Sequence, residues 1–176
     1  MANNYLQFSE VIPRITPAEE QWLDEQLAVI YVFDGEEYDE EHLPAGKALN
    51  EADYGGCRAF RDVEGGEWGD EEAGFEYSFD TDEGGPENWG RHLWIYAEEG
   101  GDVERVAHLV QKFLKKFRPE ECWSLSYATT CSKPRVGEFG GGAVFVTAAD
   151  IKWQSTYGFI CDELKAFDDR RSASAT

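Results

Sequence analysis

Cys131, with Lys133 two residues on and Arg135 four, is the best-placed nucleophile in the chain. Nearby cations favour the thiolate, the form of cysteine that attacks. A hydrolase site would also need a base and an oxyanion site, and the three imidazoles, His42, His92 and His108, fall within no family signature. His108 reads instead as a residue at the boundary of a helix stripe. Cys57, Cys122, Cys131 and Cys161 are too irregularly spaced for zinc, with no CxxC or HExxH pattern. Asp80-Thr81-Asp82-Glu83-Gly84 begins like a calcium loop but lacks the later bidentate glutamate and a flanking helix pair. Gly137-Glu138-Phe139-Gly140-Gly141-Gly142 has no Gly-Lys-Ser/Thr after it and leads into a strand, so it is not a phosphate loop. Its glycines read as close backbone approach or a bulge, with Lys133 and Arg135 as a minor anion site. No catalytic residue, metal ligand or cofactor is assigned on these grounds.

The carboxylates are a different matter. The 176 residues include 36 acids and 16 bases, a net charge of −20, which excludes direct binding of nucleic acid or of an anionic membrane. Residues 34–104 hold 23 of those acids and only four bases (Lys47, Arg58, Arg61, Arg91), a net of −19. Salt adaptation would spread its charge over every face, whereas this charge is located; ordinary solubilising acidity is the alternative reading. Phe75 to Asp80 alternates as a half-buried strand, so Phe75, Tyr77 and Phe79 face inward while Glu76, Asp80 and then Asp82 face out. Neighbours two apart on such a strand lie roughly 6.6 Å from each other. Glu36, Glu37, Asp39, Glu40 and Glu41, then Asp70, Glu71 and Glu72, and Glu83 beyond the strand, extend the row into a candidate partner-binding surface. Duplex DNA carries one negative charge per ~1.7 Å of axis, so clustered carboxylates can occupy a groove built for it. Self-repulsion makes such a surface costly without a partner.

Several elements must position that row. Tyr5 to Val11 reads as a strand, and Thr16-Pro17-Ala18-Glu19 opens a helix through a capping box with proline at the first helical position. Ile30 to Phe33 is a helix end or a short strand. Residues 34–74 show no regular pattern, and a structureless loop of that length is uncommon, so short strands or turns are expected. Leu93 to Ala97 is an apolar run suited to the middle of a sheet. Asp102 caps a helix whose stripe is Val103, Val106, Ala107, Val110, Phe113, Leu114 and Phe117. Cys122 to Thr129 has a bulky and a small-residue face, and residues 143–147 and 151–154 form a hairpin across Ala148-Ala149-Asp150. A last helix from about Ser155 to Phe167 is expected to bury Tyr157, Ile160, Leu164 and Phe159, before a disordered tail over 170–176. The expectation is one α+β domain over 1–169: a largely antiparallel sheet with about three helices packed mainly on one face.

The N-terminal residues lack a basic leader with an apolar stretch, and no apolar run approaches the ~20 residues that span a bilayer. The four cysteines read as reduced thiols, and the cytoplasm as the compartment.

Phe8-Ser9-Glu10-Val11-Ile12-Pro13 ahead of Thr16-Pro17, and above all the segment Thr130 to Thr147, resemble an uncharacterised family of bacterial and phage hypothetical proteins sharing CSKPRxGEFGGGAVFVTA. The resemblance brings no activity, cofactor or site residue. It implies a mobile-element setting, where small acidic proteins often inhibit host defence. With the located charge, the expectation is a non-enzymatic, phage-encoded inhibitor that mimics nucleic acid and blocks the basic channel of a CRISPR effector or restriction enzyme in the host cytoplasm. The alternative is a small enzyme or ligand-binding domain with its pocket near Cys131, Lys133, Arg135 and glycines 140–142.

Overall fold

A reciprocal cap starts the first helix, α1 (Pro17–Leu27). The Thr16 hydroxyl accepts from the Glu19 N–H at 3.3 Å, and the Glu19 carboxylate accepts from the Thr16 N–H at 2.7 Å. Asp102 does the same service for α2 (Val103–Phe117), accepting from the Arg105 N–H at 2.9 Å, and Lys115 and Lys116 suit the negative end of its dipole. The stripe read from the spacing is the buried side of α2, with Leu109 added and Phe117 at its margin. The computed structural model describes residues 3–33, 36–38, 42, 54–60, 73–82 and 89–173.

The main sheet has six antiparallel strands: β1 (Asn4–Ile12), β5 (Glu76–Asp82), β6 (Gly90–Ala97), β7 (Cys122–Cys131), β8 (Gly140–Thr147) and β9 (Ile151–Ser155). They lie in the order β5-β6-β1-β7-β8-β9. Ile30 to Phe33 belongs to a strand, β2 (Val29–Phe33), which pairs with β3 (Glu36–Tyr38) and β4 (Tyr54–Cys57) in a second sheet. A 3-10 turn follows at Arg58–Phe60. The expected short strands within 34–74 are therefore present, and three helices beside an antiparallel sheet make an α+β domain.

One sheet face carries the core. Phe8 and Ile12 of β1, Leu93 and Ile95 of β6, Leu125 of β7 and Val144 and Val146 of β8 are buried with Leu23 of α1 and the α2 stripe. A tie closes this layer: Arg118, just past α2, bonds the buried Glu19 carboxylate at 2.7 Å and the Pro13 and Arg14 carbonyls at 3.1 Å each. The opposite face of β7, with Cys122, Ser124, Ser126 and Ala128, is open to solvent.

The last helix, α3 (Thr156–Ala173), departs from the sequence reading twice. It continues through Arg170 to Ala173, where a tail was expected. Tyr157, Phe159, Ile160 and Leu164, expected to be buried, are exposed. The inner sheet face is already covered by α1 and α2, and α3 leaves from β9, the far edge of the sheet, with contacts only to β8 and β9 among the stronger element contacts. Helical periodicity shows that a helix has an apolar side, not what covers it.

Candidate partner-binding face

Strand β5 places the predicted carboxylates as its alternation requires. Glu76 pairs with Tyr96, Ser78 with Trp94, Asp80 with His92 and Asp82 with Gly90, and residues directly opposite in an antiparallel pair share a face. Tyr77 and Phe79 pair with Ile95 and Leu93 and so lie on the core side, but at this sheet edge Phe79 is only half-buried and Tyr77, expected inside, is 36% exposed. Glu76 and Asp80 are exposed on the open face, about 13 Å apart along the strand, with Asp82 a further two residues on. Because β5 is an edge strand, nothing pairs with it on its far side in this sheet.

The strand behind the carboxylates supplies an aromatic floor. Trp94 and Tyr96 stack with ring centroids 4.2 Å apart, and the Trp94 indole N–H donates to Ser9 Oγ at 2.9 Å. Tyr96 hydrogen-bonds the Glu76 carboxylate, which raises its phenol pKa; burial and the charges of Glu76, Glu98 and Asp80 push the same way. Glu76, Glu98 and Asp80 thus lie near one phenol. A groove of about 320 Å³ runs beside the stack, lined by Gln7, Ser9, Trp94, Tyr96 and Glu98 among others. His92 is 6% exposed, lies against the Trp89 ring and shares a hydrogen bond with the Gly90 carbonyl at 2.9 Å.

Arg91, whose charge acts on Asp80, is directed to the other side of β6. Arg91 alternates to the core side of β6, where its guanidinium pairs with Glu20 of α1 and reaches the Phe79 carbonyl. That pairing holds the Glu20 carboxyl below its ordinary range, despite an opposing contribution from burial. The face is therefore able to attract cations, with flat aromatic surface for Arg or Lys to stack on.

Glu76, Asp80 and Asp82 are the sequence-assigned residues that the structure brings onto this face. Glu36 and Glu37 lie on β3 in the second sheet, and their side chains are outside the described residues. Asp39, Glu40, Glu41, Asp70, Glu71, Glu72 and Glu83 also lie outside the described residues. Sequence reasoning missed Trp94, Tyr96 and Glu98. Leu93 to Ala97 reads as a continuous apolar run, but only Leu93, Ile95 and Ala97 are core residues. The missed signal is that Trp and Tyr occupy one parity of the run, and both carry a polar handle suited to a wet face.

The alternative pocket fares differently. Cys131 is buried at the end of β7, and its thiol donates to the Glu138 carboxylate at 2.8 Å, while Arg135 lies 3.5 Å from the same carboxylate. Of the two cations read beside Cys131, Arg135 is thus engaged by an acid. Gly141 and Gly142 serve close approach, as read: an added Cβ would lie 2.3 Å from the Tyr127 carbonyl oxygen and 2.4 Å from that of Gln154, respectively. The larger cavity, about 500 Å³, contains the Glu19–Arg118 pair, whose guanidinium is already bonded to one carboxylate and two carbonyls.

Among the described residues, no group of His, Cys, Asp or Glu is placed to hold a metal ion, and no described helix is long and apolar enough to cross a membrane. No family model, curated protein or solved structure matches the chain.

Proposed function

We propose that the chain is a non-enzymatic binding protein that presents the open face of β5 and β6 to a basic, nucleic-acid-binding partner as a mimic of nucleic acid. The carrying observation is the row Glu76, Asp80 and Asp82 on a sheet edge, with Glu98 beside it and the neighbouring Arg91 turned to the core side. Carboxylates on a strand are held in fixed register, which a disordered acidic tail cannot achieve. Electrostatic attraction would speed encounter, and the Trp94–Tyr96 stack would hold Arg side chains once docked. The resemblance to bacterial and phage proteins supports a defence complex as the target class, a CRISPR effector or a restriction enzyme, met in the host cytoplasm.

The test is competition. Labelled duplex DNA is bound to such an enzyme and displaced by increasing amounts of the chain, followed by fluorescence anisotropy. The wild type displaces the duplex; the triple reversal Glu76→Lys, Asp80→Lys, Asp82→Lys loses at least 100-fold in potency with its circular dichroism unchanged. Equal potency of the two proteins would sink the reading. Substituting Cys131 and Arg135 leaves displacement intact if the chain is a mimic, and abolishes activity if the Cys131 region is the site.

A further inference from the structure

Helix α3 leaves a short row of large apolar side chains uncovered between Tyr157 and Phe167. Tyr157, Ile160, Leu164 and Phe167 recur at steps of three and four, the a and d positions of two heptads, and are 54–77% exposed. Phe159 on the same helix and Trp153 on the strand that feeds it are also about half exposed. The helix is anchored at its start, where the Thr156 hydroxyl donates to the Gly141 carbonyl at 3.2 Å and the Gly158 N–H to Ser155 Oγ at 2.9 Å. A helix of this length without tertiary packing is marginal in water, and most helical stability comes from covering one apolar face.

Charge selects what covers it. α3 carries four acids and three bases, a net of −1, on a chain of −20. The near-neutral helix is where two copies of so acidic a chain can approach each other. An aromatic side chain offers roughly 150–250 Å² when fully buried, so the half-exposed set supplies several hundred Å² per copy, of the order of the ~800 Å² per partner in a standard interface.

We infer that α3 pairs antiparallel with α3 of a second copy about a two-fold axis near Asp162. This register sets Tyr157 opposite Phe167 of the second copy and Ile160 opposite its Leu164, so every apolar seam position is covered, and the contact is isologous as a closed dimer requires. Since each helix emerges from its own domain at residue 156, antiparallel pairing holds the two acidic bodies roughly 20 Å apart, about two Debye lengths at physiological salt. A parallel pair would press them together. The inference does not rest on the nucleic-acid-mimic reading, and the reversals at Glu76, Asp80 and Asp82 do not touch the seam.

Sedimentation equilibrium of the full chain, over a concentration and a salt series, tests it. The mass rises from 19.9 kDa toward twice that value as concentration increases, and the dimer tightens as salt screens the repulsion between the bodies. Leu164→Glu raises the dimer dissociation constant at least tenfold and leaves unchanged the melting temperature measured at concentrations where both proteins are monomeric, because the side chain is exposed in the single chain. A short bis-maleimide links Cys161 to Cys161 of the second copy in a Cys122→Ser background, since Cys161 lies beside the two-fold axis. The inference is overturned by a wild type that stays monomeric, which includes the case of α3 folding onto its own sheet, by a Leu164→Glu variant that dimerises as the wild type does, or by failure of the Cys161 link.

Discussion

The two edges of the main sheet are built from opposite chemistry. At β5 the open face is a line of carboxylates backed by a stacked Trp94–Tyr96 pair, and the adjacent base, Arg91, is turned away to Glu20. At β9 the chain leaves the sheet as a nearly neutral helix with large apolar side chains in water. Charge and apolar surface are segregated, so the two ends answer solvent conditions in opposite senses. Rising salt weakens attraction at β5 and relieves the repulsion that opposes association at α3.

The substitution with the largest expected effect disables both edges together, through the core they share. Arg118→Met leaves the 5%-exposed Glu19 carboxylate without its cation, and loss of one partner from a buried pair costs about 3–5 kcal/mol. Urea unfolding followed by Trp fluorescence reads the loss. Burial of Glu19 pushes its pKa up, but hydrogen bonds from Arg118 and Thr16 and the charge of Arg118 outweigh it, so the folded value lies below the ordinary glutamate range. A depressed carboxyl stabilises the fold fully above the ordinary glutamate range, and that contribution disappears as pH falls through the folded value. The acid limb of the stability curve should therefore flatten in Arg118→Met.

A smaller change loosens only the apolar end. Gly141 has φ +148° and no room for a Cβ, so Gly141→Ala is expected to cost on the order of 2 kcal/mol. Since α3 is tied to the Gly141 carbonyl through Thr156, protease cleavage of α3 should speed up while the carboxylate edge keeps its partner. Trp94→Ala works at the other end. The stack is worth about 1 kcal/mol to the fold, whereas an aromatic anchor at the centre of an interface is worth about 2 kcal/mol or more to binding. Calorimetry of the free chain and of the complex separates the two. The smallest expected effect is spectroscopic: Glu76→Gln should lower the pH at which Tyr96 ionises, seen as a shift in its share of the phenolate absorbance against a Tyr96→Phe control.

Local chemistry was legible in the sequence wherever one residue type had one use. The Thr16–Glu19 box, the Asp102 cap, the α2 stripe and the alternation of Phe75 to Asp80 all appear as read. Less legible was what lies against an element. α2 gathers its apolar residues on the one side that the sheet covers, whereas in α3 Phe159 lies off the Tyr157, Ile160, Leu164 and Phe167 line and Asp168 and Arg171 fall on or beside it, so its spacing marks no single buried side. Likewise, Leu93 to Ala97 reads as wholly buried because apolar type does not reveal that one sheet face is open. The candidate site was legible as a carboxylate row and not as a carboxylate-and-aromatic surface, because the register that sets Glu76 beside Tyr96 is a long-range property.

The central claim, that fixed carboxylates on β5 substitute for phosphates, is tested most directly by the salt dependence of displacement. Potency against DNA bound to a basic target is measured across a salt series for the wild type and for Glu76→Gln, Asp80→Asn and Asp82→Asn singly. With the affinity of each protein for the DNA-free target measured beside it, so that the salt dependence of DNA binding itself is removed, the plot of log affinity against log salt should be linear for the wild type, with each neutralisation making its slope shallower. A slope that is flat, or identical in all four proteins, would contradict the account.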